Sequence, residues 1–251
     1  MTLPVLEVDL GPRVRAGFTT RAGGVSGGAW GTLNVGLAVG DDEEHVLTNR
    51  ERVERWAGGP VVYANQVHGA QVAVLDDAAR TLPRGASAGD VDALVSTSAG
   101  LGVAVYVADC VPVLLADADA GLVAAVHAGR PGLAAGVVGA AVAALRASGA
   151  EPARLRAVVG PSISGGAYEV PEQMRADVAA LVPEAWAVTT WGTPALDLAA
   201  GVVAELWRAG VKHVDRLPTC TWADERLYSH RRAVRDGTTT GRFAGVVRIT
   251  G

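Results

Sequence analysis

Several residue types are scarce in this 251-residue chain, and each scarcity excludes a class of protein. Two cysteines, Cys110 and Cys220, are too few for a disulfide-stapled secreted fold, so each is expected to be free, buried or a metal ligand. A net charge of −4 without a basic run argues against binding to nucleic acid or to an anionic membrane. The longest apolar runs are interrupted, for example at Asp109 and His127, before the ~20 residues that a bilayer-spanning helix needs.

Signals for export and for division into domains are also missing. The first residues lack the basic start and long apolar segment of a secretion signal, so we expect a cytoplasmic protein. No repeat, low-complexity tract or proline-rich linker divides the sequence, and 49% hydrophobic residues suffice for a substantial core. We predict one domain over residues 1–251 that acts on small molecules, with no nucleic-acid or membrane partner. Its oligomeric state is left open.

Hydrophobic patterning predicts strands and helices in one chain. Short β-branched runs bounded by Gly and Asp are typical of strands, and a 3.6-residue apolar period indicates helices. Strands are predicted at residues 14–20, 61–69, 71–76, 92–97, 102–109, 111–117, 121–128, 155–163 and 242–250. Helices are predicted at residues 41–56, 132–149, 171–182 and 195–211, with Asp197 as an N-cap. This pattern predicts an α/β (α+β) sandwich of mixed β-sheets flanked by helices, with an undetermined strand order.

The five histidines fall into two groups. His45, His213 and His230 have polar or charged neighbours and are predicted to be surface or structural residues. His68 and His127 each end a strand-like run and precede small residues, in QVHGA and AVHAGRPG. Small residues at such positions let a ligand or a metal approach the backbone closely.

Cys110 lies in the apolar run VYVADCVPVLLAD and completes a possible metal-binding set with His68 and His127. Zinc and copper favour imidazole nitrogen and thiolate sulfur, and a catalytic zinc typically has three protein ligands and one open position. The spacing matches no short metal-binding signature, so two other interpretations stay open. The three residues could be hydrogen-bonded core residues, or Cys110 could be a nucleophile with His127 as base and Asp109 as an orienting group.

Several longer motifs occur in a fixed order between residues 21 and 249. They are RAGGVSGGAWGTLN, QVHGAQV, ADCVPVLLAD, VHAG, GPSISGGAYEV, CTW, YSHRR and TGRFAGVVRI. In this order the motifs resemble the laccase-domain family, also called the bacterial polyphenol oxidase or purine nucleoside phosphorylase family. The resemblance implies a single α/β domain similar to the Cys–His catalytic domain of bacterial deamidating toxins.

The resemblance also assigns residues to a site. The metal ligands of the family are the histidine of QVHG, the cysteine of ADC and the histidine of HAG, which correspond here to His68, Cys110 and His127. It further implies an arginine near the metal, here Arg21, and an asparagine in the loop that follows, here Asn34, both as candidates for substrate binding.

A paired-arginine motif, SHRR, makes Arg231 and Arg232 candidates for substrate binding, with a surface salt bridge as the alternative.

This chain departs from the family in one motif. The family commonly has HAGWRG, whereas this chain has HAGRPG. Arg130 therefore stands at the tryptophan position and Pro131 at the arginine position. Arg130 could replace the missing arginine, or the substrate could differ.

The activities attached to the family are phosphorolysis of purine nucleosides, adenosine deamination and copper-dependent polyphenol oxidation, together with a role in editing peptidoglycan precursors. A multi-copper oxidase needs on the order of ten histidines, and this chain has five. A single zinc suits hydrolytic deamination, with Asp109 or Glu169 as the proton shuttle. Arg21 and the Gly-rich loop at residues 22–31 suit an anion cradle for phosphate.

The sequence therefore predicts a zinc-dependent enzyme, with copper as a possible metal, that acts on a purine nucleoside and phosphate. The predicted catalytic residues are Cys110, His68, His127 and Arg21. Phosphorolysis of adenosine, inosine or methylthioadenosine and deamination of adenosine would share one pocket. The alternatives are a copper-binding polyphenol oxidase, a metal-free Cys–His hydrolase or amidase acting on peptidoglycan precursors, and a non-catalytic metal or nucleotide binder.

Overall fold

The computed structural model describes residues 3–250, so Met1, Thr2 and Gly251 of the predicted domain lie outside the described residues. The strands are β1 (Val5–Glu7), β2 (Val14–Thr19), β3 (Val61–Asn65), β4 (Val72–Leu75), β5 (Ser87–Asp90), β6 (Ala93–Ser96), β7 (Gly102–Val107), β8 (Val111–Asp117), β9 (Leu122–Ala128), β10 (Arg156–Val159), β11 (Trp186–Val188), β12 (Pro194–Leu196), β13 (His213–Arg216) and β14 (Phe243–Ile249). The helices are α1 (Glu43–Ala57), α2 (Arg130–Ala134), α3 (Val137–Ala147), α4 (Glu172–Leu181), α5 (Leu198–Arg208) and α6 (His230–Arg235). Short 3-10 helices cover Gly28–Trp30, Leu37–Val39, Asp77–Thr81 and Pro183–Ala185.

Two six-stranded mixed sheets pack face to face. The first has the order β1–β2–β14–β7–β3–β5 and the second β13–β10–β8–β9–β6–β4, while β11 and β12 form a separate pair. Successive residues of a strand point to opposite faces, so alternate side chains of both sheets enter a shared core that includes Phe18, Val105 and Leu114. This architecture confirms the predicted sandwich of mixed sheets.

Helices cover the two outer faces of the sandwich. Val53 of α1 packs on the first sheet in a cluster with Tyr63. Leu145 of α3 and Val202 of α5 lie in the cluster that covers the outer face of the second sheet. None of the helices within residues 3–250 is both long and apolar enough to cross a membrane.

The helix predicted at residues 132–149 is divided into two. Helix α2 begins earlier, at Arg130, and Gly136 then interrupts the helical path with a φ of +84° before α3 begins. Glycine adopts this left-handed conformation without steric cost because it has no Cβ. The predicted N-cap of α5 is confirmed, since the Asp197 carboxylate accepts a hydrogen bond from the Ala200 N–H at 2.9 Å.

Candidate functional site

An antiparallel hairpin formed by β8 and β9 places Cys110 and His127 on one side of the second sheet. Pro112 pairs with His127 in this hairpin. Because paired residues share a face and alternate residues return to it, Cys110 points to the same side as His127. Both side chains therefore lie at the rim between the two sheets, where His127 is buried and Cys110 is half-buried against Tyr228 and Phe243.

A buried carboxylate, Asp92, positions both histidines. Its Oδ1 lies 2.7 Å from Nδ1 of His127, which leaves Nε2 of that ring facing Cys110. The backbone N–H groups of His68 and Gly69 also donate to Asp92, at 3.0 and 2.6 Å. The sequence-based prediction missed Asp92. One feature of the sequence could have identified it. Asp92 is a lone carboxylate directly before the buried strand β6, and a buried acid needs hydrogen-bond partners.

The structure brings His68, Cys110 and His127 together, with one ligand atom of each within 4.8 Å of the others. Cys110 Sγ lies 3.8 Å from His68 Nε2. Two ligands of a tetrahedral zinc lie roughly 3.5 Å apart when metal–ligand bonds are ~2.0–2.3 Å long. The cluster therefore fits zinc with small side-chain adjustments, and its donors also suit copper. His68 is exposed, so one side of the cluster is open to solvent.

The charges of this cluster are coupled. Burial raises the pKa of the Cys110 thiol, but the positive charge of His127 and the ring N–H groups of both histidines outweigh it and lower that pKa to about 6. Burial lowers the pKa of His127, but the charge of Cys110 and the hydrogen bond to Asp92 raise it to about 9. At neutral pH the metal-free pair is therefore a thiolate and an imidazolium. A thiolate serves equally as a metal ligand and as a nucleophile.

Gly129 lies against two of the three side chains. A Cβ at this position would lie 2.6 Å from Cδ2 of His68 and 3.2 Å from Sγ of Cys110. The His68 ring can keep its observed position only because residue 129 is glycine.

Asp109, a candidate proton shuttle, has both carboxylate oxygens engaged. Oδ1 accepts from the Thr221 hydroxyl and Oδ2 from the Arg231 backbone N–H, each at 2.6 Å. The residue has a φ of +92°, which is unusual for an amino acid other than glycine. These contacts favour a role in holding the loops beside Cys110 rather than in proton transfer.

Glu169, the other candidate, is exposed and lines a pocket of about 610 Å³ together with Arg231, Trp191 and Trp222. Its Oε2 accepts from the Trp191 indole N–H at 2.6 Å, and its backbone oxygen accepts from Arg231 Nη1 at 2.9 Å. Pro171 is the N-cap of α4, so the Glu169 carboxylate binds an indole rather than capping that helix.

Asn34, predicted to bind substrate, is buried with its amide fully hydrogen-bonded. Nδ2 donates to the Gly36 backbone oxygen at 3.2 Å and to the Asp41 carboxylate at 2.9 Å. Oδ1 accepts from the backbone N–H groups of Gly36 and Arg242, at 3.0 and 2.8 Å. This use of every donor and acceptor favours a role in holding the loop to the start of β14.

Arg21 lies against Tyr228, with its guanidinium carbon 5.2 Å from the ring centre. Its Nε donates to the Gly31 backbone oxygen at 3.0 Å. Several backbone N–H groups of the Gly-rich loop also donate within the protein, including those of Ser26 and Gly31. Among the described residues, the N–H groups of Gly23, Gly27, Gly28 and Ala29 have no such acceptor and remain for the anion cradle that the sequence suggested.

Comparisons with known proteins agree on one family. A family model described as multi-copper polyphenol oxidoreductase laccase matches residues 15–250. The purine nucleoside phosphorylase of Streptomyces coelicolor is 52% identical over 92% of this chain and 93% of its own length. A purine nucleoside phosphorylase of Corynebacterium glutamicum is 48% identical over 95% of this chain and 97% of its own. The crystal structure of YlmD from Geobacillus stearothermophilus has a TM-score of 0.87 at 31% identity, covering 99% of this chain and 100% of that one.

Proposed function

This chain belongs to the laccase-domain family, and we propose that it is a zinc-dependent enzyme that splits purine nucleosides with phosphate. The observation that carries the proposal is the convergence of His68, Cys110 and His127 in a relative of proteins named purine nucleoside phosphorylase. Within residues 3–250 this is the one such group of His, Cys, Asp or Glu side chains. A multi-copper centre would need more ligands than these.

In phosphorolysis the bond between C1′ of the ribose and the purine nitrogen breaks, and its electron pair leaves with the purine. A phosphate oxygen forms the new bond to C1′, and the proton of hydrogen phosphate ends on the purine nitrogen. When bound, a zinc ion supplies a Lewis acid that polarises a substrate or a water molecule. Asp92 fixes the ring orientation of His127, and the exposed His68 borders the open side through which substrate enters.

Adenosine deamination is the second activity of the proposal. In that reaction water displaces ammonia from C6 of the purine, a reaction that suits a zinc centre with an open position. The open side of the cluster beside His68 supports it, because water and a nucleoside can reach the same three side chains.

A metal-free Cys–His hydrolase is the competing function. Asp92, His127 and Cys110 form a relay in which the carboxylate orients the imidazole and the imidazole faces the thiol. This order of groups matches an activated cysteine nucleophile. The lowered pKa of Cys110 favours the same chemistry.

The test incubates purified protein with adenosine, inosine and 5′-methylthioadenosine, with and without phosphate, and separates the products by chromatography. Elemental analysis of the same samples measures zinc and copper. We expect free purine and ribose 1-phosphate only with phosphate, and inosine from adenosine without it. Absence of all these products would refute the proposal.

Two variants separate the functions. Cys110→Ala should lose both metal and turnover, whereas Cys220→Ala, which changes the cysteine outside the cluster, should keep both. Turnover that survives chelators but is lost on thiol alkylation would instead establish the hydrolase. Oxidation of a phenol by the copper-loaded protein, without nucleoside cleavage, would establish the oxidase.

A further inference from the structure

Two half-buried arginines, Arg130 and Arg231, flank the candidate metal ligands. Tyr168 is half-buried and packs against the core under the second sheet. The guanidinium carbon of Arg231 lies 5.0 Å from the centre of its ring. The backbone N–H of Arg231 donates to Asp109, the residue before Cys110, so this side chain begins at the edge of the cluster.

Arg130 begins beside the same cluster, on another element. It is the first residue of α2 and follows Gly129, which lies against His68 and Cys110. Burial and the charge of Cys110 raise the pKa of Tyr168, whereas Arg130 and Arg231 lower it. The charges of both arginines therefore act on the ring that Arg231 covers.

Neither arginine takes part in a salt bridge of the described residues. The Asp109 carboxylate binds the Thr221 hydroxyl and the Arg231 backbone N–H, and the Glu169 carboxylate binds an indole N–H, so neither forms an ion pair with a guanidinium group. Two positive charges held close together stabilise an anion that binds between them.

We propose that Arg130 and Arg231 bind inorganic phosphate between them, beside the metal ligands, as the nucleophile of the reaction. This subsite rests on the proposed phosphorolysis. Guanidinium groups suit phosphate because their N–H donors pair with its oxygens in a bidentate manner. Arg231 keeps Nε and Nη2 for this purpose, since Nη1 alone is bound to the Glu169 backbone oxygen.

The subsite differs from the one expected at Arg21. Arg21 Nε and six of the ten backbone N–H groups at residues 22–31 donate within the protein, whereas Arg130 and Arg231 begin beside the cluster on two elements. Arg130 stands where the common HAGWRG motif has tryptophan, so Arg130→Trp removes the guanidinium and restores that motif's residue.

The test is steady-state phosphorolysis of inosine at varied phosphate concentration by the zinc-loaded protein. Arg130→Ala and Arg130→Trp should raise the KM for phosphate by about 10- to 100-fold, the effect of losing a charged hydrogen bond. Arg130→Lys should raise it less, because it keeps the charge but loses the bidentate geometry. The KM for inosine and the zinc content should stay within about twofold of wild type. Arg146→Ala, an exposed arginine on α3, is the matched control and should change nothing.

A phosphate KM within about twofold of wild type in both Arg130→Ala and Arg231→Ala would overturn the subsite while leaving phosphorolysis intact. If the wild type cleaves none of the three nucleosides, the proposed function fails and phosphate binding is measured directly by calorimetry. Binding that is lost in Arg130→Ala would then still support the subsite. No phosphate binding by the wild type, or equally strong binding of acetate, would overturn it.

Discussion

Gly129→Ala should weaken metal binding without unfolding the protein. Gly129 has a φ of −75° and a ψ of 168°, which alanine also adopts, so the substitution adds no backbone strain. The new Cβ would lie 2.6 Å from Cδ2 of His68, whereas carbon atoms in contact are ~3.5–4.0 Å apart. The His68 ring must therefore move by about 1 Å. Because His68 is exposed and its backbone is held by Asp92, the ring will swing towards solvent and away from Cys110.

A displacement of this size should lower the affinity for zinc by about 10- to 100-fold, the range seen when residues that orient metal ligands are changed. Competition with a chromophoric chelator measures the affinity, and thermal unfolding of the metal-free protein measures stability. Gly139→Ala is the matched control, because a Cβ there meets nothing within 4 Å and the residue lies inside α3. The control should keep wild-type affinity and gain about 0.5–1 kcal/mol of stability. Wild-type zinc affinity in Gly129→Ala would refute the reasoning.

Two further predictions concern the same cluster. Asp92→Asn removes the carboxylate that binds His127, so the pKa of His127 should fall and zinc affinity should drop about 10- to 100-fold, measured by NMR titration and chelator competition. The exposed Asp90→Asn is its control, and equal losses in both would contradict the assignment. Zinc uptake near pH 7.5 should release about one proton from the Cys110–His127 pair, because Cys110 is already a thiolate while His127, with a pKa of about 9, must lose its proton. Below pH 6 the thiol must also lose a proton when zinc binds, so the affinity for zinc rises with pH. Calorimetry in two buffers that shows no proton release from the wild type would contradict this prediction.

The sequence predicted the polar residues inside apolar runs but not the contacts between them. Cys110 and His127 stood out because a thiol and an imidazole interrupt buried strands, and the hairpin of β8 and β9 follows from the turn between them. Asp92 did not stand out, because its partners lie 23 to 35 residues away and strand register is not visible in the sequence. Gly136 divides a helix that the apolar period alone would continue.

The order of the two sheets was also beyond prediction, for a physical reason. Strands β2 and β14 pair although they lie at opposite ends of the chain, and such long-range pairing depends on which faces fit together. The role of Asn34 shows the same limit. Its contact with substrate stays a prediction, and its motif did not indicate that its buried amide binds Gly36, Asp41 and Arg242.

The position of His68 distinguishes the two chemistries that the cluster permits. A cysteine nucleophile needs only the relay from Asp92 through His127 to Cys110, and a third donor adds nothing to it. Yet His68 is held with a φ of +60°, a left-handed conformation that costs about 1–2 kcal/mol for a residue other than glycine. Backbone N–H bonds to Asp92 enforce that conformation, and Gly129 leaves the space for the ring. Strain of this kind persists where the surrounding structure imposes it and clusters at functional sites, so the construction around His68 favours a three-donor cation site over a metal-free nucleophile.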